Sequence, residues 1–475
     1  MQHSQNSMQT AKESRFTVNP PKNKNQYTHA YPSISRAWYT VFVLSVLYMF
    51  SFMDRQILVL LVEPIKSDLG ISDTQVSLLT GAAFAVLYAV MGIPFGWAAD
   101  RYPRKWVIGL GVAIWGSMTM ACGLAQSFTL IFIARMGVGV GEAALTPTAH
   151  GMIPDLFAPG KLARGMAVFA AAGALGGGLA LIVGGAVVDM VTGIADVELP
   201  YLGRVRSWQL VFLLVGAMTL LAIVPMTKMV DPPRLSSHNS TNGKFSRIFI
   251  GDAFRYICEH WRAYTPMMVG LTSLNMLIYG SSAWMPSFLI RHYALSAGQV
   301  GYYLGFAMGI SGLLSIFSSA WLADYLIKRG HHDAPLKILL VLIPISLAGI
   351  SMAVFTHELR VSIVGIMIAQ FGLMALAPLG PAALQAITVG GIRSQIAAIW
   401  LMGANLLGIG VGPTGIALIT DYFFQDSAKV GYSILLFALV TTTVAFVVIT
   451  VFRRDYARLA ASLQEIQSSN NSITA

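Results

Sequence analysis

The chain has 475 residues, of which 55% are hydrophobic and only 11% are charged, and its mean hydropathy is +0.66. A soluble domain contains roughly a quarter charged residues, so this composition excludes an ordinary soluble protein and indicates burial in lipid. The formal net charge of +10 does not by itself indicate nucleic-acid binding, because the positions of Lys and Arg in a membrane protein matter more than their sum.

The predicted elements are twelve membrane-spanning helices and no barrel strands. Crossing about 30 Å of hydrocarbon takes roughly 20 apolar residues, and twelve such stretches follow one another along the chain. The sequence therefore predicts an all-α polytopic membrane protein. The predicted spans, numbered 1 to 12, are 37–63, 74–99, 104–124, 128–152, 163–188, 207–228, 264–290, 297–323, 335–355, 360–388, 394–420 and 430–452.

The polar segments divide the spans into two groups of six. Residues 1–35 are predicted to be a disordered tail, 229–262 a central loop, and 454–475 a C-terminal tail; the six-helix bundles occupy 36–228 and 263–453. With both termini in the cytoplasm, 23 of the 31 Lys and Arg residues lie on the cytoplasmic side, six outside and two within helices. This bias predicts that both termini lie in the cytoplasm. The membrane is expected to be the cell's inner or plasma membrane.

Four charged residues interrupt the apolar spans of the first half. Asp54 and Arg55 lie in span 1, and Arg135 and Glu142 lie in span 4. A charge at the middle of a membrane helix costs about 2.5–3.5 kcal/mol, so each needs a partner, a water-filled cavity or a proton. Arg135 and Glu142 are two helical turns apart and share a face, whereas Asp54 and Arg55 diverge by about 100°. We therefore expect only one of Asp54 and Arg55 to face a central cavity, and the sequence leaves open which.

The loop after span 2 recurs six spans later. It reads GWAADRYPRK, and AWLADYLIKR follows span 8, so Gly96 aligns with Ala320, Asp100 with Asp324 and Arg104 with Lys328. Six plus six spans with a repeated loop predict two pseudo-symmetric halves, related by an axis along the membrane normal, that rock against each other.

These residues resemble the loop signature of the major facilitator superfamily. The complete first copy consists of Gly96, Asp100, Arg101, Arg104 and Lys105. The segment from Phe52 to Arg55, the extension VEPIKSDL after span 1 and the run RMGVGVGEA in span 4 further resemble the Spinster branch. The resemblance implies the major facilitator fold and lysolipid or sphingosine-phosphate-type substrates.

The loop motif predicts a cytoplasmic latch. Asp100 lies where span 2 ends, and its carboxylate can accept hydrogen bonds from a helix N-terminus of the opposite half or pair with Arg104. The resemblance implies that the closed latch favours the outward-facing state. The alternative is a charge cluster that only fixes the topology.

The buried charges predict proton coupling and anion binding. Desolvation raises the pKa of a carboxylate and a nearby arginine lowers it, and a conformational change can tip this balance. Asp54 and Glu142 are therefore candidates for taking up and releasing protons. Arg55 and Arg135 are candidates for holding an anionic headgroup, since a guanidinium matches phosphate or carboxylate with bidentate donors. The alternative is a permanent ion pair that fastens spans 1 and 4.

Polar residues of the second half extend this candidate site. Asn275 and Tyr279 in span 7 and Asn405 in span 11 are predicted to contribute to substrate binding, although such residues also join membrane helices to one another.

The sequence thus predicts a proton-coupled secondary transporter of an amphiphilic, lipid-like substrate that works by alternating access. The alternatives are a small organic anion symporter, a drug/proton antiporter, or an uncoupled lipid scramblase. No phosphate-binding loop of an ATPase is present, so an ATP-driven pump is disfavoured. We expect no enzymatic activity, cofactor, metal or nucleic acid. The expected partners are the substrate, protons and membrane lipids, and the expected state is a monomer.

Overall fold

The structure is a computed structural model that describes most of the chain. The predicted tail at 1–35 lies almost entirely outside the described residues, as do residues 234–249 of the predicted central loop. The described residues are 31–157, 159–192, 197–199, 203–233, 250–389 and 392–474.

The helices of the first half lie where spans 1 to 6 are predicted. They are span 1 at Ile34–Leu60, a short helix at Val62–Leu69, span 2 at Asp73–Thr80 and Ala82–Arg101, span 3 at Arg104–Leu124, span 4 at Phe128–Glu142 and Leu145–Leu156, span 5 at Pro159–Thr192, and span 6 at Ser207–Leu221 and Ile223–Met226. Between spans 5 and 6, strands β1 (Val197–Leu199) and β2 (Gly203–Val205) form a small antiparallel hairpin, which the sequence analysis did not predict.

The helices of the second half follow the same plan. They are a linker helix at Ile250–Glu259, span 7 at Trp261–Thr265, Pro266–Leu271 and Thr272–Tyr293, span 8 at Ala297–Lys328, span 9 at Ala334–Phe355, span 10 at Leu359–Met374 and Leu376–Ala386, span 11 at Arg393–Leu418 and Ile419–Phe424, a short turn at Ser427–Lys429, and span 12 at Val430–Thr474.

Span 7 differs from the other spans in polarity. Among the described residues, eleven helices are long and apolar enough to cross a membrane, and span 7 is the predicted span not among them. Its Ser, Thr and Asn residues lower its hydropathy, and it packs against spans 11 and 12. Protein neighbours therefore cover much of its surface, as expected for polar residues inside a membrane protein.

The pairing of the spans reproduces the predicted pseudo-symmetry. Span 1 packs against span 5, and span 7 against span 11; span 3 packs against spans 4 and 6, and span 9 against spans 10 and 12. The halves meet where span 5 runs along span 8 and where span 2 runs along span 11. The predicted helical fold of two related six-helix bundles is thus confirmed, with the short hairpin between spans 5 and 6 as an addition to it.

The two halves touch at one end of the molecule. A Cβ atom added to Gly81 of span 2 would lie 2.6 Å from the carbonyl oxygen of Ile409 in span 11. One added to Gly185 of span 5 would lie 2.8 Å from the carbonyl oxygen of Ala297 in span 8. Only glycine permits such close backbone approach, and we call the end containing Gly81 and Gly185 the closed end.

The halves separate toward the other end. Gly92 and Gly96 continue the face of span 2 that carries Gly81, yet an added Cβ at either would meet nothing within 4 Å. Gly403 of span 11 and Gly309 of span 8 are equally free of neighbours. This end, which we call the open end, also lies at the start of span 1 and bears the loop motif.

Two helices occupy segments that were predicted as loop or tail. The linker helix packs on span 11, with Ala253 fully buried and the Tyr256 hydroxyl donating to the carbonyl of Ile387 at 3.5 Å. Span 12 continues as a helix through 454–474, where the buried Tyr456 hydroxyl donates to the carbonyl of Ala383 at 2.9 Å. These contacts supply burial that local composition does not reveal.

Candidate functional site

Arg55 and Glu142 form an ion pair between spans 1 and 4. Arg55 donates from Nε at 3.0 Å and from Nη2 at 2.5 Å to Oε2 of Glu142, and the Ser51 hydroxyl donates to the same oxygen at 2.5 Å. The other carboxylate oxygen, Oε1, is buried and has no hydrogen-bond partner among the described residues. One oxygen of Glu142 is therefore crowded with donors while the other has none.

Aromatic rings surround the guanidinium of Arg55. Its Cζ atom lies 4.5 Å from the ring centroid of Phe84, 5.4 Å from that of Tyr88 and 5.6 Å from that of Phe52. Cation–π attraction in a poorly hydrated site helps to hold the guanidinium in place. The Arg55 side chain is nevertheless 23% exposed, whereas that of Glu142 is fully buried.

Asp54 and Arg135 form a second pair between the same two spans. Arg135 Nη1 donates to Oδ2 of Asp54 at 2.7 Å, and the Thr119 hydroxyl of span 3 donates to Oδ1 at 2.6 Å. The two side chains are 0% and 1% exposed. Adjacent residues of span 1 thus point in different directions: Asp54 into its own bundle and Arg55 toward the space between the halves.

Phe84 of span 2 lies between the two pairs. Its ring centroid is 4.5 Å from Cζ of Arg55 and 5.8 Å from Cζ of Arg135. Because Arg135 is buried and held by Asp54, it does not reach the space between the halves in this conformation. The structure therefore assembles the four predicted charges but brings only Arg55 to the surface of the candidate site.

The predicted residues of the second half lie in different settings. Tyr279 packs, across the boundary between the halves, against the apolar cluster to which Phe84 belongs. Asn275 donates from Nδ2 to the carbonyl of Ala404 at 2.7 Å and so joins spans 7 and 11. Asn405 is half-buried and makes no side-chain hydrogen bond to a described residue. Tyr279 is thus the residue of this group that packs beside the apolar surroundings of Arg55.

Asp100 and Arg104 of the loop motif do not pair with each other. Arg104 Nη1 instead donates to Oδ2 of Asp155 in span 4 at 2.5 Å, and both side chains are largely buried. Asp100 is exposed and has neither a hydrogen bond nor an ion pair to any described residue. The alternative in which Arg104 pairs with Asp100 is wrong for this conformation, because Arg104 points into its own bundle.

Arg101 and Lys105 of the loop motif make no hydrogen bond or ion pair through their side chains to a described residue of the other half. Gly96 has no neighbour near an added Cβ, Arg101 stacks over the ring of Trp97 at 4.0 Å, and Lys105 lies 5.4 Å from the ring centroid of Trp106. This arrangement agrees with the separation of the halves at the open end.

Several partners of the predicted residues were missed in the sequence. Ser51 lies one helical turn before Arg55, which a search for polar residues around the span 1 charges would have found. Thr119 and Asp155 carry no such local indication, because Thr119 of span 3 meets Asp54 of span 1, and Asp155 of span 4 meets Arg104 of span 3, only in the tertiary structure.

Comparison with known proteins agrees with this architecture. The profile of the Major Facilitator Superfamily matches residues 44–413. An MFS-type efflux pump of Mycolicibacterium smegmatis is 28% identical over 401 residues, 82% of this chain and 86% of the pump. Protein spinster of Drosophila melanogaster is 25% identical over 62% of this chain, which spans 47% of that protein. A probable L-galactonate transporter of Escherichia coli is 25% identical over 60% of this chain and 61% of its own length.

A solved structure shares the fold. The crystal structure of a bacterial homologue of the human lysosomal transporter Spinster, in an inward-facing and unoccupied conformation, superposes with a TM-score of 0.74 at 23% identity. The match covers 91% of this chain and 99% of that one. Together with the profile match over most of the chain, these findings show that the protein belongs to the Major Facilitator Superfamily and is a Spinster-like, multi-pass membrane transporter.

Proposed function

We propose that the protein is a proton-coupled secondary transporter of an amphiphilic anion, with Arg55 as the headgroup ligand and Glu142 as the proton site. The observation that carries this proposal is the Arg55–Glu142 pair, in which a partly exposed cation is held by a fully buried carboxylate. A permanent fastener between helices gains nothing from leaving the cation accessible.

Competition for Arg55 provides the coupling. An anionic headgroup that binds Arg55 takes its donors away from Glu142, whose Oε1 already has no partner among the described residues. A buried carboxylate without its cation is costly, and taking up a proton removes that cost. Binding of the anion and protonation of Glu142 therefore favour each other, and release of one favours release of the other.

The surroundings of Arg55 support an amphiphile. The rings of Phe52, Phe84 and Tyr88 border the guanidinium, so the anion site adjoins apolar surface directly. Tyr279, across the boundary between the halves, packs against the apolar cluster that contains Phe84, the ring nearest to Arg55. A ligand at Arg55 would thus contact both halves, as alternating access requires. Arg135, Asn275 and Asn405 are secondary in this proposal, and Asp54 serves as the internal partner of Arg135.

The test is uptake by proteoliposomes with an imposed pH gradient. A single-chain phosphate lipid, extracted from the outer leaflet with albumin, serves as the probe. We expect accumulation that follows the gradient in the wild type and is lost in Glu142→Gln, while facilitated equilibration persists. Glu358→Gln serves as the matched Glu→Gln control, because Glu358 is exposed before span 10 and its side chain has no ion pair or hydrogen bond to a described residue. Flux that ignores the gradient, with Glu142→Gln behaving as the wild type, would instead indicate an uncoupled scramblase.

A second candidate is a symporter of small organic anions. The similarity to a probable L-galactonate transporter favours it, since a sugar acid has the carboxylate but no acyl chain. Phosphate esters with alkyl chains of increasing length separate the two: affinity rising with chain length supports the amphiphile, and transport of galactonate with no dependence on chain length supports the small anion.

The similarity to an efflux pump adds a third candidate, a drug/proton antiporter. Proton-driven export of cationic dyes would identify it.

We also propose that the chain lies in the inner or plasma membrane of the cell, with both termini in the cytoplasm. The open end, at the start of span 1, would then face the cytoplasm. Cys258 is exposed on the linker helix, whereas Cys122 is buried. A membrane-impermeant maleimide should therefore label Cys258 in inverted vesicles but not in intact cells. Cys258→Ser is the control, and labelling in intact cells would reverse the topology.

A further inference from the structure

At the closed end, a carboxylate of the first half caps a helix of the second half. Asp189 lies near the end of span 5, and its Oδ1 accepts a hydrogen bond from the backbone N–H of Gly298 at 2.9 Å. Its Oδ2 accepts one from the hydroxyl of Ser296 at 2.8 Å. Ser296 and Gly298 form the N-terminus of span 8, so the carboxylate meets the positive end of that helix.

A carboxylate of the second half does the same to a helix of the first. Asp421 lies in the last turn of span 11, and its Oδ2 accepts hydrogen bonds from the backbone N–H of Thr74 at 2.7 Å and from the Thr74 hydroxyl at 2.6 Å. Thr74 belongs to the first turn of span 2. Each half therefore contributes one carboxylate and receives one.

The two contacts are equivalent under the pseudo-symmetry of the fold. Span 2 begins with Ser72 and Gln75 in a capping box, and span 8 begins with Ser296 and Gln299 in another. Thr74 and Gly298 each stand two residues after the capping serine. Span 5 and span 11 are likewise the fifth spans of their halves, so the same device occurs twice, once in each direction across the interface.

The contacts belong to one conformation. They form only where span 5 meets span 8 and span 11 meets span 2, and they must break if the closed end opens. The four N–H groups at a helix start lack partners within the helix, and each carboxylate here satisfies one of them with a charge-assisted hydrogen bond. At the open end, Asp100 and the equivalent Asp324 are exposed and have no partner among the described residues.

We propose that Asp189 and Asp421 are positioning residues of the transport cycle, which hold the closed end shut through reciprocal capping of span 8 and span 2. Neither touches Arg55 or Glu142. They set the balance between the two access states, and removing either carboxylate shifts the protein toward the state in which the closed end is open.

Another set of contacts crosses the same interface and must be kept separate. Arg291 of span 7 pairs with Asp73 and Glu63, at 2.8 Å in each case. This set has no symmetric counterpart, because Ala297 stands in span 8 where Asp73 stands in span 2. The experiment therefore leaves Arg291 intact.

Thiol accessibility measures the opening of the closed end. Ser77 is fully buried and its hydroxyl lies 3.4 Å from that of Thr414 across the interface, so Ser77→Cys in a Cys258→Ser background reports the opening. We expect Asp189→Asn and Asp421→Asn each to raise the rate of reaction with a charged maleimide in detergent about tenfold, and the double variant to raise it further. Thr74→Val, which removes one of the two bonds to Asp421, should give a smaller increase.

The matched control is Asp426→Asn. Asp426 lies at the same end, but its Oδ1 caps Ala428 of its own half at 2.9 Å, so its loss should leave the labelling rate unchanged. Cys122, which is buried inside the first half, reports unfolding in the same protein without Ser77→Cys. The proposal is overturned if Asp189→Asn, Asp421→Asn and Thr74→Val all label at the rate of Asp426→Asn while Cys122 stays protected.

Discussion

The two ion pairs between spans 1 and 4 each join an arginine to a carboxylate but differ in their access to the space between the halves. Asp54 and Arg135 are completely buried, with a further hydrogen bond from Thr119. In the other pair, Glu142 is equally buried but Arg55 is 23% exposed. A pair that is closed on all sides can only be made or broken as a unit, whereas a pair with one exposed member can exchange its partner for a ligand.

Because of this difference, the free-energy cost of breaking the ion pair differs between the two. Breaking a fully buried pair leaves an uncompensated charge in a dry interior, which destabilises the fold. Breaking the Arg55–Glu142 pair in the presence of an anion and a proton leaves neither group uncompensated. We therefore expect the first pair to control stability and the second to control transport.

The largest expected effect is the loss of one member of the buried pair. Asp54→Ala leaves Arg135 without its counter-ion, and we expect it to reduce the free energy of unfolding by about 3–5 kcal/mol. Thermal unfolding of the purified protein in detergent measures the change.

A double variant tests whether the Asp54–Arg135 pair contributes only to stability. Asp54→Leu with Arg135→Met replaces both charges by apolar groups, which is often neutral or stabilising. We expect this protein to fold and to retain proton-driven uptake. Folding with loss of uptake would mean that the buried pair takes part in coupling.

The next largest effect concerns ligand binding at Arg55. Arg55→Gln removes the charge and the bidentate donors, and we expect the KM for an anionic substrate to rise about tenfold to a hundredfold. Initial uptake rates over a range of substrate concentrations measure it. Arg55→Lys keeps the charge but not the planar donors, so an intermediate KM is expected. A KM equal to that of the wild type in both variants would remove Arg55 from the binding site.

A smaller effect should come from Phe84, whose ring contacts both arginines. Phe84→Leu keeps an apolar side chain but removes the cation–π attraction, which contributes about 0.5–2 kcal/mol. We expect a modest fall in the unfolding temperature together with a modest rise in KM, because both pairs lose a neighbour. An effect on only one of these quantities would show that the ring supports one pair alone.

The smallest effect is expected for Ser51. Ser51→Ala removes one of three hydrogen bonds to Oε2 of Glu142, worth about 0.5–1.5 kcal/mol, while both bonds from Arg55 remain. Proton-driven uptake should persist at a reduced rate, as measured in the same proteoliposomes. Complete loss of uptake would make Ser51 part of the proton path itself.

The architecture of the protein was predictable because the membrane imposes it. Length and hydropathy locate the helices, and the recurrence of the loop motif, with Asp100 matching Asp324, divides them into two halves. Two features were not predictable from composition. The helical extension of span 12 buries Tyr456 against span 10, and the linker helix packs on span 11 and bonds to the carbonyl of Ile387 after span 10.

The buried charges could be singled out in the sequence, but their pairing could not. Charged residues inside apolar spans are rare and costly, so Asp54, Arg55, Arg135 and Glu142 could be singled out. Their partners depend on how spans 1, 3 and 4 rotate and cross, which local sequence does not encode. The same holds for Arg104, whose partner Asp155 lies in span 4 rather than in the loop motif.

The sequence by itself determined that this chain crosses the membrane in two related groups of six helices and that unpaired charges cannot remain in its first half. These conclusions follow from hydropathy and the cost of burying charge, which act on each segment separately. Only the tertiary structure decided that Arg55 rather than Asp54 faces the space between the halves, and that Asp189 and Asp421 cap helices across the interface. Those outcomes depend on distances of a few ångströms between helices that are far apart in the chain.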